Sequence, residues 1–440
     1  MRPPRLIVTA ILSLSWVTAP LAASVTLDQA VARAFEKSFG LKSRALDEEA
    51  ARADRDFAAR QRLFHLDFAA SFRAATESVE VTAANFPFTS LFEIPPDQVL
   101  LSAPKNTYDL KLGLVQPLWT WGSLTNTLRA DEARREAAAA GTRAAEVELA
   151  GRVKTSYFTY RLLQARKRSL EVLLESLKLH QARVEAFVRE ELTRRSDLLE
   201  TEAKAEETRL SIEDAANRAE RERINFDTLT GVSPGDIEPS ASESVADYAA
   251  SWADFQARQP LLRQLDSQAA ALDLSRKAAA GSRLPRLSLF GEAHYARPGV
   301  NFFLDQWKVY GVAGLSLTVP VFNTNQIDRD KALLEIERRR LDDRRGEVLE
   351  QAEKTLKQLY ETKRSLEQRA SSADRLIDLA REDAVLKERL YRESQVSNLD
   401  YLLSLTDLER YRSLKDQLAL ELELVKVSIN TAIGKIGDKP

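Results

Sequence analysis

The chain has 440 residues, 44% hydrophobic and 30% charged, with a formal net charge of −2 and no cysteine. Disulfides, thiol catalysis, cysteine metal sites and a lipid anchor on an N-terminal cysteine are excluded. Interspersed charges of both signs fit long solvated helix faces and argue against a nucleic-acid surface.

At the N-terminus, Arg2 and Arg5 precede an apolar run from Leu6 to Val17, and Ala22, Ala23 and Ser24 follow. This is the layout of a secretory signal peptide over residues 1–23, with cleavage expected near Ala23 or Ser24. No later segment is a long uncharged apolar run, so any membrane insertion must use strands.

Residues 24–231 read as a first repeat. After an opening helix, Phe64, Leu66, Phe68, Ala70 and Phe72 alternate with His65, Asp67, Ala69 and Ser71, which predicts a strand near 64–73. A loop over 73–107 carries Phe86, Pro87, Phe88, Leu91, Phe92, Pro95 and Pro96. Leu110, Leu112 and Leu114 then alternate with Asp109, Lys111 and Gly113 in a second strand near 108–118. From about Leu124 to Glu191 there is no proline, and a helix of that length spans roughly 100 Å. It turns at a tip near 187–199 and returns to Gly231.

Residues 232–256, with Pro234, Pro239 and several serines and aspartates, read as a linker. The second repeat, 257–440, has a helix, strands near 285–295 and 309–320, and a loop with Phe302, Phe303 and Trp307. A long helix follows from Ile327 to Glu393, with Val348, Ala352, Thr355, Leu359 and Leu366 at seam spacing. After a tip near 391–403, Leu414, Leu418, Leu422, Val425 and Ile429 mark the return helix.

The repeat is internal duplication. Leu112, Leu114, Pro117, Trp119, Tyr157, Asp197 and Gly231 fall on Leu315, Leu317, Pro320, Phe322, Tyr360, Asp400 and Gly434 at a separation of about 203 positions. Leu41, Leu63, Leu66, Phe68 and Ala70 fall on Leu262, Leu284, Leu287, Leu289 and Gly291 at about 221, which places an insertion of about 18 residues between Phe72 and Tyr108. The fold class is mainly α with a membrane β-barrel portion. Four strands cannot close a barrel, since membrane barrels need about eight, so several copies must share one. The alternative is four amphipathic strands on a soluble core.

The order of these parts resembles the TolC family of outer-membrane efflux and secretion ducts. The carriers are the signal peptide, the opening Val25-Thr26-Leu27-Asp28-Gln29-Ala30-Val31, the turns Val115-Gln116-Pro117-Leu118-Trp119 and Thr318-Val319-Pro320-Val321-Phe322, and the tips Ser196-Asp197-Leu198-Leu199 and Leu399-Asp400-Tyr401-Leu402. The resemblance implies a homotrimer in the outer-membrane lipid, with a twelve-stranded β-barrel continuous with a twelve-helix periplasmic coiled-coil α-barrel. It also implies a periplasmic adaptor protein as partner, and an inner-membrane resistance-nodulation-division or ABC transporter.

In such ducts the tips form the periplasmic aperture. Carried over residue by residue, Tyr391, Asp197 and Asp400 fall on the tyrosine and the aspartates of that aperture. Val396 and Leu403 depart from the prototype's arginine and second aspartate, and Glu191 and Ser394 stand where many members have glycine. Arg189, Arg194, Arg195 and Arg392 are candidate charge partners for the aspartates. A plainer role for Asp197 and Asp400 is to cap the returning helices. Pro117 and Pro320 mark the strand-to-helix turns.

Catalytic chemistry is not expected. Gly231-Val232-Ser233-Pro234-Gly235 matches a nucleophile elbow, but a helix precedes it and Pro234 has no N–H for an oxyanion hole. A helix stop and a turn explain it better. His65, His180 and His294 lie far apart in sequence, and the two on strands read as solvated lumen residues. No cofactor is called for, and energy must come from a partner. The chain therefore reads as an exit duct of a tripartite efflux pump or type I secretion system. The competing reading is a periplasmic coiled-coil adaptor or scaffold without a channel.

Overall fold

The computed structural model describes residues 25–86, 88, 92, 94–238, 242–322, 325–393 and 395–436. The expected signal peptide, Pro87, Leu91, Pro239 and Ser394 lie outside the described residues. The helices are α1 (Leu27–Lys37), α2 (Phe39–Arg60), α3 (Ser123–Arg189), α4 (Arg195–Thr230), α5 (Tyr248–Arg258), α6 (Pro260–Gly281), α7 (Asn325–Arg392) and α8 (Asn398–Ala432). The strands are β1 (His65–Ala74), β2 (Glu80–Thr82), β3 (Val99–Ser102), β4 (Asn106–Trp119), β5 (Arg286–Arg297) and β6 (Lys308–Thr318). The chain divides into two compact units, one from residues 25–37, Leu149–Ser244 and Lys363–Ser428, the other from Ser38–Glu148, Val245–Thr362 and residues 429–436. The 67-residue α3 and the 68-residue α7 contribute to both.

In the strand-bearing unit, β1, β4, β5 and β6 form one antiparallel sheet in that order, so strands of the two repeats meet at β4 and β5. Register places Phe68 opposite Leu112, Lys111 opposite His294 and Glu292 opposite Val312. Because side chains alternate along each strand, Leu66, Phe68, Leu112, Leu289, Leu315 and Leu317 share one face. Asp67, Asp109, Lys111, Glu292, His294 and Ser316 share the other. Leu66, Phe68 and Leu317 are 60%, 68% and 65% exposed. Among the described residues no core covers the apolar face, contrary to the soluble-core alternative.

Aromatic rings mark both ends of this face. At one end Tyr108 lies 5.0 Å from Phe72 and 5.8 Å from Trp307, and Trp307 stacks on Tyr295 at 4.7 Å. At the other, Trp119 and Trp121 meet edge to face at 5.8 Å. Aromatic girdles around an apolar band are what the two interfaces of a bilayer select in a membrane barrel.

Three features were not in the sequence reading. The loop inserted between β1 and β4 holds a small hairpin of its own, β2 with β3. The segment between the repeats is partly helical, since α5 starts at Tyr248. Pro117 was expected in a strand-to-helix turn, but it lies inside β4, opposite Ser288, where the register shifts before Trp119. A proline has no N–H for the ladder and is accommodated at such an irregularity. The turn follows it, with Trp121 and Gly122 at φ 49° and 77°. Pro320 does lie between β6 and α7.

The duplicated tyrosines hold the segment between the repeats. Tyr157 is fully buried, donates to the Glu238 carbonyl at 3.4 Å and accepts from Arg161 at 2.9 Å. Its counterpart Tyr360 donates to the Ala246 carbonyl and shares a hydrogen bond with Ser251, each at 2.7 Å. Gly231 ends α4 in the left-handed conformation at φ 75°, so the sequence that imitates a nucleophile elbow is a helix stop.

Candidate functional site at the hairpin tips

The strandless unit carries both tips. Above them, Leu173, Leu177, Ala205 and Leu402 form a buried cluster that joins α3, α4 and α8. Leu173, Leu177, His180 and Val184 follow one another at steps of four, three and four and are all buried, so a histidine occupies a seam position of a long helix.

α3 stops by a double bond pattern: Leu192 N–H donates to the Phe187 carbonyl at 2.8 Å and Glu191 N–H to the Val188 carbonyl at 3.1 Å. This closure needs a left-handed residue, and Glu191 takes it at φ 59°. An L side chain there costs roughly 1–2 kcal/mol that glycine does not incur. Glu191→Gly should therefore raise the melting temperature of the tip, while Glu191→Val should lower it, as read by hydrogen exchange of residues 187–193. Equal exchange in the two variants would rule out strain at this position. The second tip makes the same long bond, from Gln395 N–H to the Leu390 carbonyl at 2.8 Å.

Both aspartates expected at the aperture sit in first turns. Asp400 and Ser397 bond reciprocally: Ser397 N–H and Oγ donate to the Asp400 carboxylate at 3.3 and 2.6 Å, and Asp400 N–H donates to Ser397 Oγ at 3.1 Å. This is a capping box, and the hydroxyl and amide of Ser397 hold the Asp400 carboxyl below the usual aspartate range. Asp197 accepts from the Thr193 hydroxyl at 2.5 Å.

Of the residues expected at the aperture, Asp197, Arg194, Tyr391, Arg392 and Asp400 line one groove of about 780 Å³ between the tips. Among the described residues these arginines form no ion pair with the aspartates. Arg392 instead binds Glu388, one turn back on α7, at 2.7 Å. Arg189, Arg194 and Arg195 are exposed and form no ion pair among the described residues.

Sequence reasoning passed over the contacts that join the hairpins. Arg183 on α3 pairs with Glu388 on α7 at 2.7 Å. His180 Nε2 lies 2.7 Å from Asn398 Oδ1, and Asn398 Nδ2 donates to the Asp197 carbonyl at 3.0 Å and to Thr201 Oγ1 at 3.3 Å. The rings of Tyr391 and Tyr401 flank the imidazole at 5.3 and 4.7 Å. Burial pushes both tyrosine hydroxyls above their ordinary range. The seam spacing around His180 was the signal that could have found this cluster.

The polar face of the sheet holds a second network. His294 lies between Asp109 at 3.0 Å and Glu292 at 3.4 Å, Lys111 pairs with Glu292 at 3.0 Å, and Tyr310 stacks on the imidazole at 4.7 Å. The His294 side chain is 11% exposed, so it is paired across strands where a solvated histidine was expected. The register brings Asp109 and Glu292 beside it. Among the described residues no group of histidines and carboxylates is arranged to hold a metal ion.

An open amphipathic sheet with aromatic ends, continued by two long antiparallel helical hairpins with polar tips, defines a duct protein of the outer membrane. Residues 30–232 match the model of the outer membrane efflux protein family. Its fold is similar to the outer membrane protein VceC of Vibrio cholerae, at 16% identity over 93% of this chain and 96% of that one, with a TM-score of 0.75. It is also similar to the Campylobacter jejuni CmeC outer membrane channel, at 16% identity, 98% and 94% coverage and a TM-score of 0.73. The open state of the Neisseria gonorrhoeae MtrE outer membrane channel matches at 14% identity, 99% and 97% coverage and a TM-score of 0.72. Among curated proteins, no sequence matches the chain.

Proposed function

We propose that three copies of this chain form a passive exit duct, a water-filled path across the outer membrane and periplasm, coupled through a periplasmic adaptor to an inner-membrane pump that supplies energy and selectivity. The observation that carries this reading is the sheet. Its apolar face is uncovered, and the outer edges of β1 and β6 pair with no strand among the described residues. Unpaired edges are not tolerated in lipid, so the edges of neighbouring copies must join. Each strand pair runs directly into a helix long enough to reach across a periplasmic space, roughly 100 Å at 1.5 Å per residue.

Under this reading Asp197, Tyr391 and Asp400 line the periplasmic mouth, where carboxylates contributed by every copy attract cations. Because Val396 and Leu403 remove part of the prototype's latch, closure relies on packing by Tyr391 and on bonds within each chain. The test is reconstitution. Cross-linking in detergent should give a trimer, and planar bilayers should show cation-preferring channels whose preference falls in the double variant Asp197→Ala, Asp400→Ala. A soluble monomer would end the duct reading. Unchanged selectivity in an intact trimer would leave the two aspartates as helix-start residues only.

A further inference from the structure

Asn398 plugs the second hairpin into the first. It lies at the start of α8, is 3% exposed, and its amide N–H groups donate to the Asp197 carbonyl and Thr201 hydroxyl of α4. Its amide oxygen is thereby fixed as an acceptor, so the partner His180 must donate from Nε2 at 2.7 Å. His180 is 2% exposed, with Nδ1 left as the nitrogen that carries no proton in the neutral ring.

We propose that His180 and Asn398 form a proton-sensitive tie that holds the two hairpin tips of one chain together and releases them when the surrounding medium acidifies. The proposal rests on the duct reading for its consequence, a tip that opens in acid, but the tie itself is a property of one chain. Protonating the imidazole would put a charge and an extra N–H donor among packed rings. The groups facing it are Arg183 of α3, Asp197 and Glu200 of α4, Glu388, Tyr391 and Arg392 of α7, and Tyr401 of α8. Glu388 is the nearest potential counter-charge on α7, but it is already shared by Arg183 and Arg392, each at 2.7 Å. Asp197 is bound to Thr193 at 2.5 Å.

The packing thus favours the neutral ring. Burial, the largest influence, lowers the histidine below its ordinary value of 6.5, with Asn398 working against it. The sign follows. Separated tips would hydrate His180 and restore its ordinary value, so separated tips bind the proton more readily. The tie is at full strength above 6.5 and weakens as pH falls below it.

Two measurements on the full-length protein test this. In planar bilayers, wild-type open probability should rise from about pH 7.5 to about pH 5. His180→Gln keeps an N–H donor for Asn398 but cannot titrate, and it should stay closed at both. Asn398→Ala should be open at both. In detergent, hydrogen exchange of the backbone amides of residues 399–403, corrected for intrinsic rates, should rise roughly fivefold or more over the same range in wild type and stay level in His180→Gln. A wild-type response that is flat, or one that His180→Gln shares, would overturn the tie. If no variant conducts, the duct reading fails while hydrogen exchange still decides the tie.

Discussion

Leu177→Ala should lower the unfolding free energy by about 2–5 kcal/mol, the cost of emptying a fully packed core position. Leu177 is 0% exposed and sits where α3, α4 and α8 meet, so its loss leaves a cavity at the junction of the two hairpins. Loss of helical circular dichroism on heating should come earlier, and hydrogen exchange should rise first in residues 173–184 and 399–405. Lys178→Ala, at the exposed neighbouring position, should stay within about 0.5 kcal/mol. Similar losses from both variants would mean that α3 does not present this stripe to its neighbours.

The second large effect belongs to the sheet. Leu112→Arg or Leu317→Arg puts a charge on the apolar face and should cost about 2–4 kcal/mol near the bilayer midplane. Ser316→Arg, one residue from Leu317 but on the polar face, should be mild. The measurement is the amount of assembled, heat-resistant oligomer recovered from the outer membrane. Equal recovery of all three variants would show that the faces are assigned the wrong way round or that the sheet does not span lipid.

Most of the architecture was legible because it rests on periodicity. Period-two alternation located the four sheet strands to within a residue or two of His65–Ala74, Asn106–Trp119, Arg286–Arg297 and Lys308–Thr318. The lack of proline located the two long helices in the same way. What escaped was decided by register and by neighbours from distant sequence. Lys111, Glu292 and His294 look like separate lumen residues until β4 is laid against β5. Pro117 was expected in a turn through the family resemblance, and the irregularity before Trp119 that accommodates it inside β4 has no sequence signature. At the tips, Ser397 and Asp400 carry the spacing of a capping box, whereas the meeting of His180 with Asn398 depends on how two hairpins lie side by side.

The tip contacts also break the symmetry of the duplication. At the positions that match His180 and Asn398 in the other repeat stand Asp383 and Arg195, and neither is buried. A ring built from six identical hairpins would have a single kind of seam, and loosening one seam would loosen all. In the proposed trimer, duplicated chains would instead alternate a seam fastened by His180 and Asn398 within the chain with a seam between chains where Asp383 and Arg195 cannot make the same tie. Such a ring would have two kinds of seam around its circumference, one that titrates with His180 and one, with Asp383 and Arg195 at the matching positions, that does not. Duplication followed by divergence would thus turn a cylinder of one repeated joint into one of two alternating joints.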